Sequence, residues 1–231
     1  LEPLLQNFTV FHVDYPCMQT NYNGSSSRQW DRNLVYPSFD EFANSMIPTI
    51  LEYLHLRSVI FIGTGVGSNI ATRFALKNPD YCVGLISFNP IFYAIGWKEW
   101  FDYKSFSVSN DKLREQLMDY LFSSHELANT SHDLIASTEQ HLQQLDQEAL
   151  MAFYNALKTR STIDIERPVL PSDLDKPNVL KINSMIIIGD WATNFMEDAM
   201  EFNSKLNPEK SNFVKLADAG GMVYEEQPTK C

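Results

Sequence analysis

Apolar residues between Phe39 and Leu54 recur at Phe39, Phe42, Ala43, Met46, Ile47, Ile50, Leu51 and Leu54. This is the i, i+3, i+4, i+7 spacing of one buried helical face. Ser38 and Glu41 open the stretch as an S-x-x-E capping box, and Pro48 predicts a bend because it removes one backbone donor. Elsewhere the period changes. Phe8 to Asp14 is a short β-rich run ending before Pro16 and reads as a strand. Residues 16–37 carry Pro, Asn, Gly and the run Ser25-Ser26-Ser27, which predicts a long surface loop. Val59 to Ile62 is wholly apolar, as expected of a strand covered on both faces in a parallel sheet. A glycine-rich turn, Gly63 to Gly67, follows it. Ile70, Ala71, Phe74 and Ala75 then mark a helix that stops before Asn78-Pro79, and Leu85 to Phe88 is a second buried strand.

After Pro90 the alternation of strand and helix ceases. From about residue 93 to 160 only helical periodicity is present, with Leu113, Leu117, Met118 and Leu121 on one face and Leu142, Leu145, Leu150 and Phe153 on another. Alternation resumes with a strand at Ser184 to Gly189, a helix over roughly Glu197 to Leu206, and a last strand at Phe213 to Leu216. The whole predicts an α/β fold with a mainly parallel sheet flanked by helices. Residues 1–90 and 178–231 form one discontinuous core, and 91–177 form an inserted helical cap.

Composition narrows the function classes. The chain has 231 residues with 44% hydrophobic and 20% charged residues, an ordinary balance for a globular domain with a sizeable core. A net charge of −11 without any basic run excludes nucleic acid as an expected partner. Cys17, Cys82 and Cys231 are widely spaced and form no C-x-x-C pair, so neither a zinc site nor a thioredoxin-type motif is predicted. Free thiols in a reducing compartment are the simplest reading. No apolar run reaches the length of a membrane span, and no charged and apolar leader is visible at Leu1. The chain starts near an element boundary and stops at Cys231 close to Pro228, which predicts a piece of a longer polypeptide with further structure at both ends.

The chemistry centres on the turn after Val59 to Ile62. Strand, tight G-x-X-x-G turn and helix make the nucleophile elbow of α/β hydrolases, whose central residue is held at positive φ and performs the attack. Gly63 and Gly67 are expected to be small so that strand and helix approach closely. The centre is Gly65, which has no attacking atom. A dinucleotide-binding turn is the rival reading. It needs a third glycine or alanine and an acidic residue about twenty positions on, and the chain offers Ser68 and Asn89. An anion could still rest on the helix start at the Val66 N–H.

Catalytic acid and histidine normally follow in chain order. After the strand ending at Gly189, the G-x-x-D position is Ala192; Asp190 lies two residues earlier and Trp191 intervenes. After the last strand, Ala219-Gly220-Gly221 stands where active members read A-G-H ahead of E-x-P, here Glu226-Gln227-Pro228. The histidine position is therefore Gly221, and glycine cannot act as a base. Ser68 reads as a helix-start serine that caps the first helical turn, and Cys17 as a spectator in the loop after the first strand. Among His12, His55, His125, His132 and His141, the pair His125 and His132 could share a helix face but has no third ligand, so no metal is expected. No cofactor is predicted either. Glu99, Glu126 and Glu139 read as solvated helix faces.

On longer stretches the chain resembles the NDRG (N-myc downstream-regulated) family. The matching segments are FHVDYP at 11–16, YPSFDEFANSMIPTILEYL at 36–54, IGTGVGSNIATRFAL at 62–76, GWKEW at 96–100, LFSSHEL at 121–127, IDIER at 163–167, IIIGD at 186–190 and FNSKLNPEKSNFVKLADAGG at 202–221. Cys17 stands where relatives usually have glycine. The resemblance implies a non-enzymatic, mainly cytosolic protein associated with membranes and trafficking machinery, and linked to differentiation, stress response and growth control. It also implies a strand and loop ahead of Leu1, and a phosphorylated C-terminal tail, outside this chain. Three functions stand side by side. One is a non-catalytic protein acting through protein partners or peripheral membrane and lipid association in signalling. Another is a small-molecule or lipid-binding module using the vestigial pocket around Val66, Trp191 and Trp97, with Trp100, Phe101 and Tyr103 on the cap side. The third is a hydrolase with displaced catalytic residues.

Overall fold

The computed structural model describes residues 2–16, 36–94 and 110–230. Four parallel strands form its sheet in the order β1 (Val59–Thr64), β2 (Cys82–Phe88), β3 (Asn183–Gly189), β4 (Ser211–Leu216). Parallel neighbours need crossover connections, and these are right-handed almost without exception. With sequential strand order, such crossovers bring successive helices to the same face. That face carries α3 (Val66–Lys77), α8 (Thr193–Lys205) and, outside α3, the helical stretch α2 (Phe39–Tyr53). Their side chains join the sheet in the main core around Phe74, Leu85, Ile186, Ile188, Ala199 and Phe202.

The opposite face is covered unevenly. Phe88 and Ile187 pack there against Ala219 and against Val223 of the short α9 (Val223–Glu226). Toward β1, expected to be covered on both faces, the same face is open among the described residues: Ile60 is 44% exposed and Ile62 54%, and Ile62 lies beside Ile86 in register.

Helix α2 runs as Phe39–Glu41, a π-helical turn over Phe42–Met46, and Ile47–Tyr53. The capping box is present, with the Ser38 N–H donating to Glu41 Oε2 at 2.8 Å and the Glu41 N–H to Ser38 Oγ at 3.2 Å. The Ser38 N–H and the Ser38 hydroxyl, both donating to Glu41 Oε2, hold the Glu41 carboxyl below its ordinary pKa. The irregularity expected at Pro48 takes the form of the wide turn just before it. Proline cannot donate backward, and an i→i+5 turn absorbs the mismatch. The wider turn also changes the helical phase. Phe39, Phe42, Ala43, Ile47 and Leu51 are buried, but Met46, expected on that face, is 37% exposed.

Phe8 to Asp14, expected as a strand, has no regular structure and is exposed throughout. A strand requires a hydrogen-bonding neighbour, and β propensity reports packing on such a neighbour more than a backbone preference. The chain re-enters the packing at Tyr15. Its ring stacks on Phe42 and meets Phe39 and Phe153 edge-on, and its hydroxyl donates to the Pro37 carbonyl. Ahead of this stretch lies the short helix α1 (Glu2–Asn7). Most of the expected 16–37 loop, with Cys17, is outside the described residues.

Between β2 and β3 stand α4 (Asn110–Leu121), α5 (Ser124–Asn129), α6 (His132–Gln144) and α7 (Gln147–Lys158). Leu113, Leu117, Leu142, Leu145, Leu150 and Tyr154 give them a small core of their own. Phe153, expected within it, faces Tyr15 instead. The two stems of this helical insertion run side by side. The Ile163 N–H donates to the Phe92 carbonyl at 3.3 Å, and Arg160 Nε to the Tyr93 carbonyl at 2.8 Å. Two side chains of α3 grip both stems. Asn69 Nδ2 donates to the Ile91 carbonyl at 2.8 Å. The buried Arg73 donates from Nε to Asn69 Oδ1 at 2.8 Å, from Nη1 to Asp40 at 2.9 Å and to Ser161 Oγ at 2.9 Å, and from Nη2 to the Ser161 carbonyl.

Candidate functional site

At the carboxyl end of β1 the backbone turns sharply into α3. Gly65, at the centre, has φ +52° and ψ −109°, a region where a side chain is strained. Its N–H donates to the Phe88 carbonyl at 2.9 Å, and its carbonyl accepts from the Asn69 N–H at 3.1 Å. A Cβ built on Gly65 meets no atom of the described residues within 4 Å, so among them the space above the turn is open to a side chain. The two flanking glycines differ. A Cβ on Gly63 would run into the backbone of Gly67 and Ser68, whereas one on Gly67 meets nothing within 4 Å. Close approach therefore requires glycine at 63 alone, and Gly67 contributes its backbone rather than the lack of a side chain.

Val66 is the first residue of α3, where backbone N–H groups lack partners within the helix. Ser68 does not cap this helix. It is buried, and its hydroxyl donates to Ser87 Oγ on β2 at 2.8 Å, binding helix to sheet. This arrangement also leaves it ill-placed for attack on a substrate.

Asp190 and Ala192 flank the turn after β3. Asp190 Oδ1 accepts from the Ala219 N–H at 3.4 Å, so its carboxylate steadies the loop after β4. Ala192 is fully buried and begins α8. Between them, the Trp191 N–H donates to the Ala219 carbonyl at 2.9 Å, and its ring lies 5.3 Å from that of His125. A Cβ on Gly189 would collide with the carbonyls of Ala219 and Gly220. This glycine lets the loops after β3 and β4 touch, a role the G-x-x-D reading did not suggest.

Gly221 is buried between two side chains. Its carbonyl accepts from Asn89 Nδ2, and its N–H donates to Glu126 Oε1 at 2.5 Å. Asn89 itself sits at φ +43° just past β2. Glu126, read from sequence as solvated, is fully buried on α5. Its other oxygen accepts the Ser123 N–H at 2.7 Å in a second capping box, and Ser123 Oγ donates to the Trp191 carbonyl at 3.0 Å. The S-x-x-E spacing at Ser123 was a legible signal for a helix start, but it does not encode burial. Gly220 donates to Glu226 Oε2 at 2.7 Å. Burial, with a smaller contribution from Glu126, raises the Glu226 carboxyl above its ordinary pKa. From α9, Tyr224 leans edge-on against Phe88, 5.7 Å away.

His125 and His132 fall in separate helices, α5 and α6, so they do not share a face. Among the described residues no three His, Cys, Asp or Glu side chains could hold a metal ion. Trp97, Glu99, Trp100, Phe101 and Tyr103 lie outside the described residues. Cys82 is a free thiol at the amino end of β2, where burial pushes its pKa up to about 12. It borders an open cavity of about 480 Å³ with Lys181, Asn183 and Lys210, at the end of the sheet opposite the elbow. No described helix is long and apolar enough to cross a membrane.

A parallel sheet with an elbow after its first strand and helices inserted after the next is the α/β-hydrolase fold. Solved hydrolases superpose on it. A thermophilic esterase from Thermogutta terrifontis does so with a TM-score of 0.65 at 18% identity, over 84% of this chain and 69% of that one. The meta-cleavage product hydrolase of Pseudomonas fluorescens gives 0.58 at 14% identity, over 90% and 72%. Within that fold the chain belongs to the Ndr family, whose family model matches residues 1–231. Similar relatives include Protein NDRG3 of Xenopus laevis, 34% identical over all of this chain and 59% of that protein. Protein NDRG1 of Xenopus tropicalis is 33% identical over all of this chain and 55% of that protein. Protein NDRG2 of Mus musculus is 33% identical over all of this chain and 58% of that protein. The chain thus spans little more than half the length of these relatives.

Proposed function

We propose that this protein is a non-enzymatic α/β-hydrolase-like protein, a cytoplasmic pseudo-hydrolase acting through protein partners or peripheral membrane and lipid association in signalling, differentiation, stress response or trafficking. The observation that carries this reading is the pair of glycines. Gly65 stands at a strained elbow without an attacking atom, and Gly221 stands at the histidine position with a buried carboxylate already bonded to its N–H. Catalysis in this fold needs a nucleophile and a base within reach of each other. Asp190 and Ala192 complete the degenerate set, with residues 91–177 as cap over a core of 1–90 and 178–231.

A serine-directed fluorophosphonate probe tests the reading directly. It is expected to leave the protein unlabelled at concentrations that saturate an esterase control. Labelling that disappears in Ser68→Ala would overturn the proposal in favour of displaced catalytic residues.

One observation favours a second reading, a small-molecule or lipid-binding module: the space over Gly65, open among the described residues, beside the Val66 helix start. Decanoate titrated by calorimetry is the probe. Saturable binding weakened by Gly65→Leu supports it, and absence of binding removes it.

A further inference from the structure

We propose that Glu126 is a latch that holds the helical insertion closed over the carboxyl ends of the strands, by bridging one N–H of the insertion and one N–H of the core. A carboxylate has two oxygens, and here each has its own donor. Oε2 takes the Ser123 N–H at 2.7 Å, within the insertion, and Oε1 takes the Gly221 N–H at 2.5 Å, in the loop after β4. In a buried, low-dielectric setting such hydrogen bonds are electrostatically stronger than in water.

The core is shaped to admit this side chain. A Cβ on Gly220 would strike the Glu126 carboxylate, and a Cβ on Gly221 would lie 3.1 Å from the Leu121 carbonyl and 3.4 Å from Glu126 Oε1. Two successive glycines thus leave room for the corner between α4 and α5. That corner bonds to the loops after two strands, and a residue after a third braces the contact from the core side. Besides Gly221 after β4, Ser123 Oγ reaches the Trp191 carbonyl after β3, and Asn89, after β2, clamps the Gly221 carbonyl from the other side. The latch acts on the opening of the insertion and does not depend on whether any chemistry occurs beneath it.

Amide hydrogen exchange at single-residue resolution tests the latch on the whole 231-residue chain. Glutamine is nearly isosteric but has one oxygen, so Glu126→Gln cannot accept both N–H groups. Glu126→Ala accepts neither. In Glu126→Ala the Gly221 amide, and in Glu126→Gln whichever of the Ser123 and Gly221 amides loses its oxygen, is expected to exchange about tenfold faster or more, the size of one lost buried hydrogen bond. Residues 110–158 should gain exchange with it, while strands β1 and β2 keep wild-type protection, because local opening is energetically separate from global unfolding. Gly220→Ala, which pushes the carboxylate out from the core side, should reproduce the pattern. It also keeps the test alive if Glu126→Ala does not fold. Unchanged Gly221 exchange in Gly220→Ala, or in a folded Glu126→Ala, overturns the proposal. So does a rise that is uniform across the sheet and the insertion, which would make Glu126 a general stabiliser only.

Discussion

At the scale of single residues, the glycines of the elbow are not equivalent, and substitution separates them. Gly63→Ala forces a methyl group into the backbone of α3, and overpacking of this kind costs about 1–3 kcal/mol or more. Gly67→Ala meets no atom and removes a flexible residue from a helix, so it should be neutral or stabilising by up to about 1 kcal/mol. Urea unfolding of the two variants reads the contrast, and equal losses would contradict it. Glu226 gives a pH signature. Its carboxyl is raised in the folded protein, chiefly by burial, so its ionised form is the disfavoured one. The penalty is absent below the unfolded pKa, grows as pH rises through the window between the unfolded and folded values, and is complete above it. Stability should therefore fall with rising pH across that window. Glu226→Gln retains an acceptor for the Gly220 N–H, and it should abolish this slope and be at least as stable as wild type at pH 7. A slope that persists in the variant would assign it elsewhere.

At the scale of elements, the four strands of the sheet were legible as short apolar runs, as in Met185-Ile186-Ile187-Ile188, but the coverage on both faces expected of Val59 to Ile62 fails at Ile60 and Ile62. The helix at Phe39 was legible from its capping box. What escaped depends on distant neighbours. Phe8 to Asp14 has strand composition without a described strand beside it. Glu126 looks like any surface glutamate until the loop holding Gly221, remote in sequence, is folded against it. The wide turn before Pro48 was foreseen as a bend but not as the phase shift that exposes Met46. The grip of α3 on the insertion's stems was also invisible, since Arg73 gives no hint of its partners at Asp40 and Ser161. Arg73→Ala should cost on the order of 2–4 kcal/mol, mostly from leaving Asn69 Oδ1 and the Ser161 carbonyl without donors. The half-exposed Asp40 adds little. Arg73→Lys should recover little of this, because an ammonium cannot reproduce a planar fork. Thermal or urea unfolding measures both, and full rescue by lysine would reduce the contact to simple charge.

At the scale of the whole molecule, sequential strand order collects α2, α3 and α8 on one face and leaves Ile60 and Ile62 bare on the other. β1 also forms an edge of the described sheet, and an unpaired apolar edge is a template for association. The isolated 231-residue chain should self-associate at elevated concentration. Ile62→Lys should shift light-scattering mass toward the monomer without loss of helical signal, and an unchanged mass distribution would place the sticky surface elsewhere.

The grip of Asn69 and Arg73 on the two stems bears on the order in which the molecule assembles. β3 can pair with β2 only after a very long crossover has been closed, and closure entropy rises with the logarithm of loop length. Holding Ile91 beside Ser161 and Ile163 lets the sheet regard the whole helical insertion as a short detour. The effective loop shrinks roughly fourfold, worth about 1 kcal/mol of closure entropy. A side-chain contact that looks like static reinforcement would then also set the pace at which the second half of the sheet is added to the first.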